Sequence, residues 1–394
     1  MAPNRGNVLV LQSGGPTPVI NRSLFGLVDE ASNSGAFGRV LGASHGMEGL
    51  LADDLIDLAA QPRGTWHRVA RTPGAALGST RRKLRPEDVP TVLQTLSDRD
   101  VRYCFIIGGN DSAETGLSIS LEARRAGYDL TVVCVPKTID NDLVLTDHTP
   151  GYGSAARFVA LATAGVGADA ESMGKAAPIA VVEVMGRDTG WLAASAALGK
   201  REDRDPPHVI CVPEVPVDEG DFVNAIETAY AVHGFAVAVV AENTRGPEGV
   251  LGGEKEPWYV DDFGHAYFDG PGRYLAGLVS RRLKVRARYE KPGTIQRSLA
   301  NTVSRTDRDE AEAAGRAAVQ SALGGHSNVI VTLERIPGKR YACTTGLAPL
   351  SEVAGQVRPM PSEYLADDFS VTDAFLEYAR PLIGAGIPRF GRLR

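Results

Sequence analysis

The sequence predicts a two-lobed α/β fold in which mainly parallel sheets are covered by helices. Short runs rich in β-branched residues alternate with longer amphipathic stretches, as in parallel-sheet proteins. Nearly all the short runs are apolar throughout, which is typical of strands that are buried on both faces. The chain has 394 residues, which is long for one compact domain of roughly 100–200 residues.

The elements follow one another in the order that such a fold requires. Apolar runs predict strands at 7–12, 102–107, 131–135, 179–184, 208–212, 236–241 and 328–333. The intervening stretches begin with small or acidic residues and then become amphipathic, which predicts helices at 19–33, 112–126, 154–168, 189–198 and 219–232. A Gly/Pro-rich excursion at 244–272 leads into a helix near 273–283, and a further helix is predicted at 362–376.

Composition excludes several classes of protein. Apolar residues make up 43% and charged residues 23%, and the net charge is −6. That balance argues against a chain that coats nucleic acid or anionic lipid. No apolar run approaches the ~18 residues needed to span a bilayer, and the four cysteines form neither a disulfide framework nor a close-spaced metal motif. We therefore expect a cytoplasmic protein with no nucleic-acid or membrane partner.

Four of the predicted strands are followed directly by glycine-rich or polar loops, at 13–16, 108–111, 136–142 and 185–188. Ligands of open α/β sheets bind outside the carboxyl ends of the strands, so these loops should meet at one crevice. Gly14-Gly15 alone fits a phosphate-binding loop and a tight turn equally well. A second pair, Gly108-Gly109, favours a polyphosphate ligand. Neither loop matches the dinucleotide or P-loop patterns, which disfavours those two classes.

The segment 136–142, with sequence PKTIDND, is the loop richest in charged and hydroxyl side chains. It places the cation Lys137, the hydroxyl of Thr138 and the carboxylates of Asp140 and Asp142 in one loop at a sheet edge. Carboxylates so close together are costly to desolvate unless a cation lies nearby. The loop therefore predicts a Mg²⁺ site with a general base, and the alternative is a solvated turn rich in Asn and Asp.

Eight short motifs occur in order between Leu9 and Ser298. They are SGGPTPVIN (13–21), GSTR (78–81), GGNDS (108–112), PKTIDND (136–142), GYGSAAR (151–157), VEVMGRDTGWLA (182–193), AEN (241–243) and IQRS (295–298). With these motifs the sequence resembles the phosphofructokinase family, and more closely its pyrophosphate-dependent branch. The pairing of TIDND with MGR is the most specific part of the resemblance.

The resemblance implies two Rossmann-like lobes with the active site in the cleft between them. The donor lobe would comprise 1–150 and about 294–345, and the sugar-phosphate lobe 151–293 and about 346–394. The implied reaction is Mg²⁺-dependent, reversible transfer of a phosphoryl group from pyrophosphate to the 1-hydroxyl of fructose 6-phosphate, in glycolysis and gluconeogenesis. The alternatives are an ATP-dependent 6-phosphofructokinase and a catalytically weak, sugar-phosphate-binding regulatory subunit. A homodimer or homotetramer is implied, and we expect the dimer.

The resemblance also assigns roles to individual residues. Asp140 would be the base that takes the proton from the sugar 1-hydroxyl, helped by Thr138. Asp142 would orient or help ligate the metal region, and Lys137 would offer its ammonium to pyrophosphate or to its charge in the transition state. The donor would contact Gly14, Gly15, Arg81, Gly109, Asp111, Ser112 and Lys137. The sugar phosphate would contact Thr138, Asp140, Met185, Gly186, Arg187, Glu242, Arg288, Thr294 and Arg297. The metal would lie at Asn110 and Asp111.

Two positions argue for pyrophosphate as the donor. ATP-using relatives carry glycine where Asp111 and Lys137 stand, and these side chains add bulk and charge where a nucleotide would extend. Three positions depart from the family pattern: Asn110 replaces an aspartate, Thr294 replaces a histidine or tyrosine, and Pro178 replaces an arginine of tetrameric ATP enzymes. Asn110 and Thr294 keep the regulatory-subunit alternative open.

Overall fold

The computed structural model describes residues 6–252, 257, 259–267 and 270–393. In chain order the strands are β1 (Asn7–Gln12), β2 (Val40–Ala43), β3 (Leu55–Asp57), β4 (Val101–Gly108), β5 (Thr131–Pro136), β6 (Ile179–Val184), β7 (Val209–Cys211), β8 (Ala236–Ala241), β9 (Arg245–Gly246), β10 (Gly249–Val250), β11 (Tyr259–Val260), β12 (Ala266–Tyr267), β13 (Ala287–Glu290), β14 (Val329–Arg335) and β15 (Cys343–Pro349). The α-helices are α1 (Ile20–Ser34), α2 (Met47–Ala52), α3 (Arg63–Val69), α4 (Val89–Asp98), α5 (Asn110–Arg125), α6 (Tyr152–Met173), α7 (Trp191–Ser195), α8 (Glu219–His233), α9 (Pro271–Leu283), α10 (Arg305–Leu323), α11 (Leu350–Val353) and α12 (Asp373–Ala379).

The larger sheet has the strand order β15-β14-β5-β4-β1-β2-β3. Its central strands are parallel, and only the outer strands β3 and β15 run antiparallel to their neighbours. The register pairs Gln12 with Ile107 and Ile107 with Val135. The loops after β1, β4 and β5 therefore leave the sheet at the same edge.

The smaller sheet has the order β13-β6-β8-β7, and all its strands are parallel. Strands β6 and β8 are buried along their whole length. Their register pairs Val184 with Ala241, so the loop after β6 lies beside the loop after β8. Two mainly parallel sheets flanked by helices confirm the predicted fold class.

Helices cover both faces of each sheet. On the larger sheet, Leu24 of α1 and Val319 of α10 pack with Val10 on one face, and Ile119 of α5 packs with Leu9 on the other. On the smaller sheet, α6, α7 and α12 pack on one face and α8 and α9 on the other. Among the described residues, no helix combines the length and the apolar character that crossing a bilayer requires.

All seven predicted strands are present, and three of them (β1, β6 and β8) have the predicted bounds. The larger sheet uses strands from 7–136 and 329–349 and the smaller uses strands from 179–290; the bounds of the two lobes stay a prediction. Strand β15 ends at Pro349, slightly beyond the predicted boundary near 345.

Two helix predictions need correction, and one long helix was not predicted. The helix expected at 362–376 is wrong, because a 3-10 turn at Ser362–Tyr364 is followed by a reversal in which Leu365 bridges Val371 before α12 begins. The helix expected at 189–198 is α-helical only over α7 and continues as a 3-10 helix. Helix α10 was not predicted, because its buried stripe consists largely of alanines, such as Ala311, Ala314 and Ala318.

Candidate active site

The loops after β1 and β5 are joined by a buried lysine. The Nζ of Lys137 donates a hydrogen bond to the carbonyl oxygen of Gly15 at 2.9 Å, and the side chain of Lys137 is buried. Gly14 has φ +76°, and a Cβ there would lie 3.1 Å from the same ammonium. We call the space between the loops 13–16 and 108–112 the donor pocket, and Lys137 reaches into it from the loop after β5.

Burial has a large effect on this lysine. Burial first, and the charge of Arg297 second, lower the pKa of Lys137 to about 7. The carboxylates of Asp140 and Asp142 oppose this shift. A buried ammonium interacts more strongly with a bound anion than an exposed one does.

Gly109 and Ser112 lie where β4 passes into α5. Gly109 is the residue before α5, and its carbonyl oxygen accepts from the backbone N–H of Ser112 at 3.1 Å. The side chain of Ser112 is buried against Gly108, where a Cβ would collide with it. The backbone of Gly108 accepts from the N–H of Lys137 at 3.0 Å, so this helix start lies directly beside the Lys137 loop.

Arg81 and Asp111 are engaged by residues that the sequence analysis did not identify. Arg81 forms an ion pair with Asp261. Asp111 lies 3.4 Å from the Nζ of Lys83 and 3.3 Å from the Nε2 of His265. Burial alone would raise the pKa of Asp111, but the hydrogen bond and charge of His265, together with the charge of Lys83, lower it overall. Asp111 is therefore an ionised carboxylate with both oxygens paired.

A second carboxylate lies beside the amide of Asn110. The Nδ2 of Asn110 donates to the Oδ2 of Asp142 at 3.0 Å. Within the described part of the chain, the other side-chain oxygens of both residues, Asn110 Oδ1 and Asp142 Oδ1, are buried without a hydrogen-bond partner. Burial, followed by the charge of Asp140, raises the pKa of Asp142 to about 6. Buried oxygens without partners are costly, and a cation would satisfy them.

The loop that carries Asp140 is held rigidly. The Oγ1 of Thr138 accepts from the N–H of Asp140 at 3.0 Å. Asn141 has φ +58° and is buried, and its side chain donates to Tyr378 and accepts from the N–H of Thr149. The small αL-tolerant Asn suits this conformation. These contacts fix the backbone on both sides of Asp140.

The loop after β6 of the smaller sheet contacts the loop that carries Asp140, which follows β5 of the larger sheet. The hydroxyl of Thr189 donates to the carbonyl oxygen of Asp140 at 3.1 Å. Gly186 and Arg187 both have positive φ, and the N–H of Arg187 donates to the Oε1 of Glu242 at 3.1 Å. The charges of Arg187 and Asp140 both act on Glu242, and burial, followed by the charge of Asp140, raises the pKa of Glu242 to about 7.

Gln296 and Arg297 connect this loop to the donor pocket. The Oε1 of Gln296 accepts from the N–H of Met185 at 3.2 Å. The guanidinium of Arg297 packs so closely on Gly15 that a Cβ there would collide with it. Burial lowers the pKa of Arg297, while the charges of Asp140 and Glu242 oppose that shift. Arg297 thus lies close to both halves of the site, and a side chain at position 15 would make its guanidinium shift.

Two predicted sugar contacts are placed differently. Arg288 forms an ion pair with Asp169 of α6. Its register partner is Ala180, four residues before Val184, which places it about 13 Å from the carboxyl end of β6 at ~3.3 Å per residue. Within this chain Arg288 therefore does not lie with Met185, Gly186 and Arg187. Thr294 is exposed, and its carbonyl oxygen accepts from the hydroxyl of Ser298.

A lysine that the sequence analysis did not identify lies on the sugar side. The Nζ of Lys291 is 2.7 Å from the Oε1 of Glu183, a buried carboxylate of β6, and its charge also acts on Glu242. Glu183 additionally accepts from the hydroxyl of Tyr289 and the N–H of Gly272. Lys291 stands three residues before Thr294, so the departure from the family pattern at Thr294 is accompanied by a cation nearby.

The structure thus brings cations, carboxylates and glycine backbone from several loops to one place. Lys137, Arg187 and Arg297 supply positive charge, and Asp140 and Glu242 lie among them. Phosphoryl transfer depends mainly on positioning and on stabilisation of charge. This set of groups can bind two phosphorylated compounds and accept one proton.

Comparisons with known proteins agree on one family. A family model described as Phosphofructokinase matches residues 7–322. The chain is 38% identical over 397 residues to the pyrophosphate–fructose 6-phosphate 1-phosphotransferase of Rhodospirillum rubrum, covering 99% of this chain and 97% of the relative. The corresponding enzyme of Halomonas elongata is 35% identical, with 98% and 93% covered. The crystal structure of a pyrophosphate-dependent phosphofructokinase from Nitrosospira multiformis superposes with a TM-score of 0.89 at 33% identity, covering 98% and 94%.

Proposed function

The chain belongs to the phosphofructokinase family, and on that premise we propose that it transfers a phosphoryl group from inorganic pyrophosphate to the 1-hydroxyl of fructose 6-phosphate. The products are fructose 1,6-bisphosphate and phosphate. Full-length relatives at 35–38% identity carry the pyrophosphate-dependent name. The single observation that carries the choice of donor is the buried ammonium of Lys137 in the donor pocket.

The donor pocket favours a short anion. Lys137 fills the space beside Gly14 and Gly15, and Asp111 adds negative charge at the start of α5. An adenosine with its α-phosphate would have to displace the lysine and approach a carboxylate. Pyrophosphate needs neither, and it gains the ammonium as a partner. The pocket therefore favours pyrophosphate both by attraction to it and by repulsion of the nucleotide.

Asp140 is the proposed general base. It lies in a rigid loop between the cations of both halves of the site. The proton of the sugar 1-hydroxyl passes to the carboxylate of Asp140 as the oxygen forms its bond to the transferred phosphorus. The bond from that phosphorus to the bridging oxygen breaks, and phosphate leaves beside Lys137. The charge of Arg297 stabilises the transferring group.

The sugar phosphate is held by the loop after β6 and its neighbours. We assign the backbone of Met185 and Gly186, the guanidinium of Arg187 and the carboxyl of Glu242 to this role. Glu242 already fixes the backbone of Arg187 and would accept from a sugar hydroxyl. Arginine suits a phosphate because its planar donors bind two oxygens at once.

Asn110 and Asp142 are the residues that would hold Mg²⁺. Their unpartnered buried oxygens fit a hard cation that prefers oxygen ligands. Both oxygens of Asp111, the other predicted metal residue, are paired with Lys83 and His265. We therefore propose Asn110 with Asp142 rather than with Asp111. Mg²⁺ bound there would supply charge neutralisation for the phosphate oxygens.

We also propose a homo-oligomer in the cytoplasm. The four cysteines are free thiols, as expected in a reducing compartment. The homo-oligomer rests on the resemblance to the phosphofructokinase family, whose members are usually dimers or tetramers.

Steady-state kinetics with fructose 6-phosphate, Mg²⁺ and either donor test the proposal. We expect turnover with pyrophosphate, turnover in the reverse direction from fructose 1,6-bisphosphate and phosphate, and none with ATP. Turnover with ATP alone would identify an ATP-dependent enzyme. Binding of fructose 6-phosphate without turnover from either donor would identify a regulatory subunit.

A further inference from the structure

A small hairpin from the sugar-lobe half of the chain reaches the donor pocket. Strands β11 and β12 enclose the turn 261–265, and we call residues 259–267 the cross-lobe hairpin. In sequence it lies between β8 and α9, both of which belong to the smaller sheet and its helices. Its contacts described below are with residues around the larger sheet, so it connects the two halves of the site.

Asp261 organises the turn and binds Arg81. Its Oδ1 accepts from the backbone N–H groups of Phe263 and His265, each at 3.0 Å. Its Oδ2 pairs with Arg81 and lies 3.1 Å from the Nδ1 of His265. The side chain is 3% exposed, and burial, which opposes ionisation, is outweighed by these donors, so the pKa of Asp261 is lowered to about 2. Asp261 is therefore a fully paired carboxylate that fixes both the turn and Arg81.

His265 connects the turn to Asp111. Its Nδ1 faces Asp261 and its Nε2 lies 3.3 Å from the Oδ2 of Asp111. Phe263, buried in the same turn, lies beneath the ammonium of Lys83, which is itself 3.4 Å from Asp111. Asp261, His265 and Phe263 of the hairpin thus contact Arg81, Asp111 and Lys83 respectively. The resemblance to the family implies that Arg81 and Asp111 contact the donor.

We propose that Asp261 and His265 are positioning residues for the donor, holding Arg81 and Asp111 in the arrangement that accepts pyrophosphate. This inference rests on the proposed function. Arg81 has many rotamers, and a buried carboxylate partner confines it to one of them. Without His265, the carboxylate of Asp111 keeps only Lys83 as an ion-pair partner in the described part of the chain, and its charge is less compensated where an anionic donor binds. Loss of either residue therefore weakens pyrophosphate binding without touching the sugar site.

The test uses Asp261→Asn and His265→Gln in the full chain, with Asp262→Asn as the matched control. Asp262 is the exposed neighbour in the same turn, so its variant removes the same charge from the hairpin. We expect the KM for pyrophosphate to rise about tenfold in the first two variants, as for loss of one charged hydrogen bond, while the KM for fructose 6-phosphate stays within about twofold. Asp262→Asn should match the parent enzyme in both constants. Asp261→Glu, which keeps the charge, should recover part of the loss.

Three outcomes would overturn the proposal. They are an unchanged or lower KM for pyrophosphate in both variants, an equal rise in both Michaelis constants, and an equal effect from Asp262→Asn. If Asp261→Asn does not fold, His265→Gln decides, since it leaves the Asp261–Arg81 pair in place. Failure of the parent enzyme to turn over pyrophosphate would instead refute the proposed function. In that case, calorimetric titration with pyrophosphate alone would compare its Kd for the parent protein and the variants. A weaker affinity in Asp261→Asn and His265→Gln would still show that the hairpin residues support anion binding.

Discussion

The Nζ of Lys137 lies 2.9 Å from the carbonyl oxygen of Gly15, so a buried cation joins the loops after β5 and β1, the strands on either side of β4 in the larger sheet. The guanidinium of Arg297 also lies close to Gly15. Two cationic side chains therefore lie beside the glycine backbone of the loop after β1. They favour a small anionic ligand, in agreement with the proposed donor pyrophosphate.

Replacing Asp111 and Lys137 together by glycine should change the donor preference. The double variant removes the bulk and both charges, so we expect a lower kcat/KM for pyrophosphate and measurable turnover with ATP. Both donors are compared in one assay of fructose 1,6-bisphosphate formation, and circular dichroism checks the fold. The single variant Asp111→Gly serves as the control, because it leaves Lys137 in the pocket. A double variant that kept its pyrophosphate rate and ignored ATP would contradict the role of these residues.

The charge state of Lys137 should appear in the pH profile. Because burial and Arg297 lower its pKa to about 7, the ammonium is present below that pH and is lost above it. We expect kcat/KM for pyrophosphate to fall above pH 7 by up to about tenfold per pH unit. Lys137→Met lacks the titrating group and should show only the titration of pyrophosphate itself. The ratio of kcat/KM in the parent enzyme to kcat/KM in Lys137→Met should therefore change with pH. A ratio that stays constant from about pH 6 to about pH 9 would refute Lys137 as the titrating group.

Asp140→Asn and Arg187→Ala should affect different kinetic constants. The first removes the base, so kcat should fall by about 10²–10⁴ with little change in the KM for fructose 6-phosphate. The second removes a group that binds the sugar phosphate, so that KM should rise while kcat changes less. Initial rates over a range of both substrates separate the two effects. An exchange of these results between the variants would reverse the two assignments.

Much of the site could be predicted because it follows strand ends. Gly14, Gly109 and Asp140 each lie in a loop that follows a buried apolar run, and parallel strands bring such loops to one edge. The same reasoning fails for Arg288. It is close in sequence to Arg297, but its register with Ala180 places it toward the opposite end of the smaller sheet.

Two contacts of the site could not be predicted, because they join residues that are far apart in the chain. Asp261 and Arg81 are separated by 180 positions, and the pair depends on how a short hairpin crosses from one half of the site to the other. The pairing of Asn110 with Asp142 spans 32 positions and depends on the register of β4 with β5. Local patterns in the sequence show neither where the hairpin crosses nor how β4 is in register with β5.

The metal requirement should depend on Asn110 and Asp142 more than on Asp111. Asn110→Ala and Asp142→Asn each remove or weaken a proposed oxygen ligand, so the Mg²⁺ concentration for half-maximal rate should rise about tenfold or more. Asp111→Asn should change it by less than about twofold, because both oxygens of Asp111 are paired with Lys83 and His265. Rates at saturating substrates over a series of free Mg²⁺ concentrations measure this. If the Mg²⁺ concentration for half-maximal rate shifted more in Asp111→Asn than in the other two variants, the metal would be assigned to Asp111 instead.

The stability of the protein should depend on the charge of His148. This buried ring lies 2.8 Å from Asp147 and 2.7 Å from Glu310. Burial alone lowers the pKa of His148, but the hydrogen bonds and charges of the two carboxylates outweigh it and raise the pKa above the ordinary 6.5. The folded state therefore holds the proton more tightly than the unfolded chain, and this stabilisation is complete below pH 6.5 and is lost as the pH rises through the folded pKa.

We expect the free energy of unfolding of the parent protein to fall relative to that of His148→Gln by up to about 1.4 kcal/mol per pH unit within that window. Urea unfolding at a series of pH values from about 6 to about 9 measures the difference. His326→Gln, which changes an exposed histidine, should follow the parent at every pH. Because His148→Gln also removes packing and hydrogen bonds, the evidence lies in the slope against pH and not in the offset. Parallel curves for the parent and His148→Gln would show that His148 does not carry a proton in this cluster.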